Sequence, residues 1–197
     1  SQYFGRCMNC KEWNSIIEEE KSSISKKNII KKSKKSKLFT EIKIQDISRI
    51  KTGFNEFDRV LGGGLVHGSI ILLGGEPGIG KSTLVLQAAG KMSLSHNVLY
   101  ITGEESLEQV KVRWTRLNQR NANLKVFAEN NLSIIIQEIK DNKPTIAIID
   151  SIQAINNSDL ESTSGSVSQV RSCSSELQQF AKDNNICLLY TSPSPRD

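Results

Sequence analysis

The sequence predicts an α/β fold with a mostly parallel central sheet flanked by helices. From about residue 46 onward, apolar runs of strand length alternate with amphipathic runs of helix length. Such alternation requires crossover connections, which place parallel strands side by side beneath helices on both faces. The length of 197 residues is sufficient for one core of this kind plus a small appendage. Contents of 37% hydrophobic and 24% charged residues are ordinary for a globular protein.

Nine predicted elements follow one another in strict strand–helix alternation. The strands are short, apolar and bounded by turn residues, and they cover residues 69–74, 97–102, 124–128, 145–149 and 186–190. The helices have apolar residues three or four positions apart, and they cover residues 82–92, 106–117, 132–141 and 167–183. Each helix therefore connects two strands of the sheet.

Composition divides the chain into four segments. Residues 1–15 are aromatic and carry two cysteines, and residues 16–45 form a Lys-rich stretch that we expect to be a flexible linker. Residues 46–190 form the α/β core, and residues 191–197 form a tail. Residues 1–45 hold 11 Lys and Arg against 5 Asp and Glu, so the net charge of +5 belongs to the N-terminal part. A basic linker either contacts nucleic acid or is a solvated spacer.

The tail is predicted to fall outside the sheet. It contains Pro193 and Pro195, and proline cannot donate a hydrogen bond within a central strand. We therefore expect the last strand to end at Tyr190 and residues 191–197 to be disordered with few contacts. A chain that ends here leaves the core incomplete, so we expect it to hydrolyse nucleotide far more slowly than a complete protein.

The sequence has no features of membrane insertion or export. No stretch approaches the roughly 18–20 consecutive apolar residues of a membrane helix. The N-terminal residues lack the apolar region of a secretory signal. A Cys-x-x-Cys pair in a chain without an export signal is typical of a reducing compartment. We therefore expect a cytoplasmic protein that does not bind membranes.

The strongest motif lies between the first predicted strand and the first predicted helix. Residues 75–82 fit the phosphate-binding pattern G-x-x-x-x-G-K-S/T. Glycines allow backbone N–H groups to converge on phosphate oxygens, and the helix that follows directs its positive end at them. Lys81 adds a full charge, and the Ser82 hydroxyl is a ligand for Mg²⁺. The predicted nucleotide-binding residues of this loop are Gly75, Glu76, Pro77, Gly78, Ile79, Gly80, Lys81, Ser82 and Thr83.

A carboxylate for the magnesium ion is predicted at the end of another strand. Asp150 follows four apolar residues and so lies at the carboxyl edge of the sheet, where ligands bind in open α/β folds. The alternative is an aspartate that only caps the following segment.

Two adjacent acids are candidates for the residue that activates water. Glu104 and Glu105 follow the second predicted strand and reach the same edge. We favour Glu104 as the catalytic base, with Glu105 as the second choice. Alternatively, both acids belong to the first turn of the next helix, where they would interact with its dipole.

Cys7 and Cys10 have the spacing of half a zinc site. A tetrahedral structural site needs four ligands. Cys173 and Cys187 lie within predicted core elements and are interpreted as small buried residues. The two histidines, His67 and His96, are isolated. We therefore expect this cysteine pair alone not to close a zinc site.

Several motifs in the same order resemble one family, the bacterial RadA proteins with their RecA-type ATPase core. The similarity covers nearly the whole chain. Residues 4–15 resemble the second half of a four-cysteine zinc finger. The remaining matches are to the segment that leads into the core, the Walker A loop, the strand-end acidic pair, the Walker B region and a characteristic helix start, at residues 52–65, 75–83, 100–106, 149–153 and 165–171.

This resemblance implies a DNA-dependent ATPase in recombinational DNA repair. Family members use ATP and Mg²⁺, with Zn²⁺ in the complete finger. They form hexameric rings, bind single-stranded DNA and drive branch migration of recombination intermediates after strand exchange by a RecA-type recombinase. The first cysteine pair is not in this chain, and neither the family's later Lys-Asn-Arg-Phe-Gly motif nor its Lon-protease-like domain follows Tyr190.

Two other functions remain open at this point. One is a RecA-like ATPase of clock or signalling type with no role in DNA repair, against which the cysteine pair and basic linker argue. The other is a nucleotide-binding module that switches partners without hydrolysis. The acids Glu104, Glu105 and Asp150 favour hydrolysis over such a switch.

Overall fold

A computed structural model describes residues 36, 38–41, 48–118 and 123–193. The chain divides into two compact units, residues 1–44 and residues 45–197. In the first unit the described part contains a single 3-10 turn, Phe39–Glu41. Cys7, Cys10 and nearly all of the predicted linker lie outside the described residues, so the predictions made for them stay predictions.

The second unit begins with a small antiparallel pair of strands that the sequence pattern did not predict. Strand β1 (Arg49–Ile50) pairs with β2 (Leu65–Val66), and helix α1 (Asn55–Val60) lies between them in the chain. The carboxylate of Asp58 on α1 accepts hydrogen bonds from both the backbone N–H and the hydroxyl of Thr52, each at 2.8 Å. Both residues are buried, so this contact fixes α1 against the segment that follows β1.

The main sheet has five parallel strands in the order β3-β7-β6-β4-β5. Their bounds are β3 Ile70–Gly75, β4 Val98–Thr102, β5 Lys125–Ala128, β6 Ile146–Asp150 and β7 Cys187–Pro193. Every residue of β4 and β6 is buried, as expected for central strands covered on both faces. The predicted α/β class with a mostly parallel sheet is confirmed.

Four helices cover the two faces of this sheet. They are α2 (Lys81–Met92), α3 (Leu107–Arg116), α4 (Leu132–Asn142) and α5 (Val167–Asn184). Successive residues of β4 point to opposite faces. Leu99 and Ile101 join a cluster with buried residues of α4 and α5, whereas Val98 and Tyr100 join a cluster with those of α2 and α3. Within the part of the chain that the structure describes, no helix is long and apolar enough to cross a bilayer.

The last strand differs from its prediction. β7 continues to Pro193 and pairs along its whole length with β3, with Leu73 opposite Thr191 and Gly75 opposite Pro193. The prediction that the strand ends at Tyr190, before a tail with few contacts, is therefore wrong for residues 191–193. Pro193 is tolerated because it is the last residue of the strand, where the loss of a ladder hydrogen bond costs little. Pro195 lies outside the described residues.

Candidate active site

The predicted phosphate-binding loop connects β3 to α2 at the carboxyl edge of the sheet. Residues 76–80 are all exposed. Gly78 and Gly80 have φ angles of +78° and +99°, which side chains with a Cβ rarely adopt. A Cβ at either position would meet no atom within 4 Å, so these two positions require glycine for conformation and not for space.

The helix after the loop begins without a side-chain cap. Gly80 is the N-cap of α2, and no side chain caps its first N–H groups. Those N–H groups and the positive end of the helix dipole are therefore directed at the loop, in the arrangement that binds phosphate groups.

Lys81 folds back over the loop. Its Nζ donates hydrogen bonds to the carbonyl oxygens of Gly75 at 2.6 Å and Glu76 at 2.7 Å. A polyphosphate carries far more negative charge than two carbonyl groups. We therefore expect it to draw the ammonium group away from them, because hydrogen bonds between charged partners are the stronger ones.

Asp150 ends β6 and is buried, with polar groups around both oxygens of its carboxylate. Its Oδ1 accepts from the hydroxyls of Ser82 at 2.8 Å and Thr191 at 2.7 Å. Its Oδ2 accepts from the Tyr100 hydroxyl at 2.5 Å and lies 3.9 Å from Nη2 of Arg113. The sequence placed Asp150 near Ser82 by topology, and the two side chains are in direct contact. The other three neighbours were not predicted.

Tyr100 is held in its neutral form beside this carboxylate. Burial, followed by the negative charge of Asp150, raises the pKa of Tyr100 well above its ordinary value. The phenol therefore keeps its proton and donates it to the Asp150 hydrogen bond. A signal for this contact exists in the sequence, because Tyr100 pairs with Ile148 and so shares a sheet face with Asp150 two residues on.

Glu104 and Glu105 occupy different environments. Glu104 is exposed, and its Oε1 accepts a hydrogen bond of 2.6 Å from the hydroxyl of Ser151, the residue after Asp150. Glu105 is partly buried and forms an ion pair with Arg113 on α3. Neither acid lies in the first turn of α3, because the N-cap of that helix is Ser106. The structure therefore does not support the alternative in which both acids serve only the helix dipole.

The arrangement of oxygen atoms suits a magnesium ion. Ser82 and Asp150 offer a hydroxyl and a carboxylate in direct contact at the base of the loop. Mg²⁺ prefers such hard oxygen ligands and keeps several waters, so one or two protein groups beside the substrate phosphates are sufficient. These residues fit the ion that the phosphate-binding motif implies.

Zinc ligands are a separate matter. Among the residues that the structure describes, no group of three or more His, Cys, Asp or Glu side chains is arranged to hold a metal. Cys173 and Cys187 are buried in the two core clusters, as the sequence predicted. Burial raises the pKa of both thiols, so they stay protonated and are poor metal ligands.

A test of the Asp150 environment is the replacement of Thr191 by valine. The side chains are nearly isosteric, but valine removes a donor to a buried carboxylate, so we expect a loss of about 1–3 kcal/mol in the free energy of unfolding. Denaturant unfolding measures this loss. Thr115→Val is the matched control, since Thr115 is exposed and bonds only within its helix. Equal stabilities of the two variants would contradict the assigned role of Thr191.

Comparisons with known proteins agree with this geometry. Residues 50–138 match the KaiC ATPase family. The chain is 47% identical to the DNA repair protein RadA of Rickettsia conorii, over 100% of this chain and 45% of that protein. It is 48% identical to RadA of Rickettsia bellii, over 100% of this chain and 44% of that protein. With RadA of Streptococcus pyogenes serotype M6 it shares 45% identity, over 94% of this chain and 42% of that protein.

The chain belongs to the RadA family. It spans less than half the length of the RadA relatives it matches. The resemblance predicted from the sequence motifs is confirmed, and the domain described here is a RecA-type ATPase domain of a DNA repair protein family.

Solved structures show the same fold. One of them, an isolated ATPase domain, superposes with a TM-score of 0.62 at 19% identity, covering 76% of the RadA chain and 65% of that domain. A DnaB-like replicative helicase, solved in a study of its interactions with primase, gives a TM-score of 0.63 at 18% identity, covering 77% and 45%. At these identities the likeness establishes the RecA-like architecture of the chain and nothing further.

Proposed function

We propose that this RadA chain carries the site at which the full-length protein hydrolyses ATP in response to single-stranded DNA. One observation supports the proposal above the others. The phosphate-binding loop, a magnesium-side carboxylate and a candidate base form one chain of contacts along the sheet edge. Ser82 bonds to Asp150, and the next residue, Ser151, bonds to Glu104.

In this proposal the loop binds and the acids activate. The N–H groups at the start of α2 and the Lys81 ammonium bind the β- and γ-phosphates and stabilise the charge that develops on them during phosphoryl transfer. Mg²⁺, held by Ser82 and Asp150, supplies neutralisation of the phosphate oxygens when bound. Glu104 accepts a proton from the attacking water, and the Ser151 hydroxyl holds its carboxylate in place.

The wider role of the full-length protein is part of the same proposal. We infer a homo-hexameric ring in which a neighbouring subunit completes the nucleotide site, acting on recombination intermediates to promote branch migration alongside a RecA-type recombinase. The family relationship supports this role, as does the excess of Lys and Arg in residues 1–45, which suits contact with DNA phosphates. Cys7 and Cys10 would supply half of a zinc finger in that protein.

ATP turnover by the full-length protein, measured with and without single-stranded DNA, tests the proposal. We expect turnover that rises severalfold when single-stranded DNA is added. Binding of ATP without any turnover would favour a nucleotide-dependent switch. Turnover that ignores DNA would favour another kind of RecA-like ATPase.

A further inference from the structure

We propose that Arg113 is a positioning residue of the ATPase site. It holds Glu105 as its charge partner and stands beside the Asp150 carboxylate, which leaves Glu104 as the carboxylate that meets the attacking water. The inference rests on the proposed ATP hydrolysis and adds a specific division of labour between the two adjacent acids.

The contacts of Arg113 link the two strand ends that carry the acids. Arg113 lies on α3, and its Nη2 pairs with Oε2 of Glu105, which follows β4. The same Nη2 lies 3.9 Å from Oδ2 of Asp150 at the end of β6. The Arg113 side chain is only 22% exposed, so water screens these charges less than at the surface.

Both partners of the ion pair are held in place by their own elements. The backbone N–H of Glu105 donates to the Thr102 hydroxyl at 3.0 Å, which fixes the turn after β4. Helix α3 starts with a capping box between Ser106 and Gln109, and Val110 anchors it in the core. The guanidinium is therefore presented to the carboxylates by a rigid helix and not by a flexible loop.

Arg113 is also an expensive residue to keep. Its Nε is buried and finds no hydrogen-bond partner within the described ranges of the chain. An unsatisfied buried donor costs stability, so packing and hydrogen bonding alone do not account for an arginine here. The charge balance of the site does account for it. Glu104, Glu105 and Asp150 converge on one edge, and Lys81 is occupied by the loop carbonyls.

Loss of Arg113 should therefore disturb the acids and spare the nucleotide. Without the guanidinium, Glu105 loses its partner and lies uncompensated near Asp150, so the carboxylates repel one another and shift. The hydrogen bonds and ion pairs of Arg113 go to these acids and not to the phosphate-binding loop, so ATP affinity should persist. The effect belongs in kcat and not in KM.

The experiment compares Arg113→Gln, Arg113→Lys and Arg116→Gln in the full-length protein. Arg116 lies on the same helix but is exposed, so Arg116→Gln is the matched control. We expect Arg113→Gln to lower kcat by about 10- to 100-fold, the range typical of residues that orient a catalytic group from behind, with KM for ATP unchanged. Arg113→Lys keeps the charge and should recover part of the loss. Arg116→Gln should match the wild type.

A double variant separates the proposed mechanism from a general loss of structure. If Arg113 acts through Glu105, adding Glu105→Gln to Arg113→Gln should restore part of kcat, because the uncompensated charge is removed. A wild-type kcat in Arg113→Gln, or in Arg113→Lys together with an unfolded Arg113→Gln, would overturn the inference while leaving the ATPase proposal intact. So would a double variant whose loss is the simple product of the two single losses. Absence of turnover in the wild type itself would instead overturn the ATPase proposal.

Discussion

Replacing Lys81 by alanine in the full-length protein should lower ATP turnover by at least about 100-fold, the loss typical when a group that stabilises transition-state charge is removed. The ammonium group is the full positive charge on the phosphate-binding loop, and the backbone N–H groups alone supply only partial charges. The fold should persist, because the Nζ of Lys81 bonds to the carbonyls of Gly75 and Glu76 within its own loop. Steady-state turnover, ATP binding and thermal unfolding together check the prediction.

The matched control for Lys81→Ala is Lys182→Ala. Lys182 is exposed in the last turn of α5, which precedes β7 and so lies at the opposite edge of the sheet from the loop. Its removal changes the net charge equally and should leave turnover as it is. Equal turnover in Lys81→Ala and the wild type would show that residues 75–82 do not hold the substrate phosphates.

Replacing Glu104 by glutamine should separate binding from chemistry. Glutamine keeps the shape and can still accept from the Ser151 hydroxyl, but it cannot take a proton from water. We expect kcat to fall by about 100-fold or more, as when a general base is lost, while ATP affinity stays close to that of the wild type. Single-turnover hydrolysis and equilibrium nucleotide binding measure the two effects independently.

Two neighbouring acids serve as comparisons for Glu104→Gln. Glu105→Gln should have the smaller effect, because the carboxylate of Glu105 is engaged by Arg113. Glu108→Gln should have none, since Glu108 lies in the first turn of α3 with a fully exposed side chain. If Glu105→Gln abolished turnover and Glu104→Gln retained it, the two acids would have the opposite roles.

The larger elements of this fold were predictable because their sequences are strongly periodic. The strands and helices of the five-stranded sheet appear at the predicted places, with ends that shift by one to three residues. The pieces that were missed are short. β1 and β2 have two residues each and α1 has six, too few to show a period. They are held by contacts distant in sequence, such as the pairing of Ile50 with Leu65.

The site was predictable only where a local motif or the direction of the strands determined it. Lys81 and Ser82 come from the loop pattern, and Asp150 from its place at the end of an apolar strand. Tyr100, Arg113 and Thr191 reach Asp150 from three other elements. Their contacts depend on strand order, with β6 between β4 and β7, which periodicity does not reveal. Thr191 was also hidden by the prolines that follow it.

A structure of the full-length protein with Mg²⁺ and a non-hydrolysable ATP analogue tests the central claim most directly. We expect the β- and γ-phosphates on the N–H groups of residues 76–83, with the Lys81 Nζ moved from the loop carbonyls onto the phosphates. Mg²⁺ should lie about 2.0–2.1 Å from the Ser82 hydroxyl, the usual distance for its oxygen ligands, with Asp150 beside it. Phosphates bound elsewhere in the protein, or a metal ion that contacts neither Ser82 nor Asp150, would contradict the account.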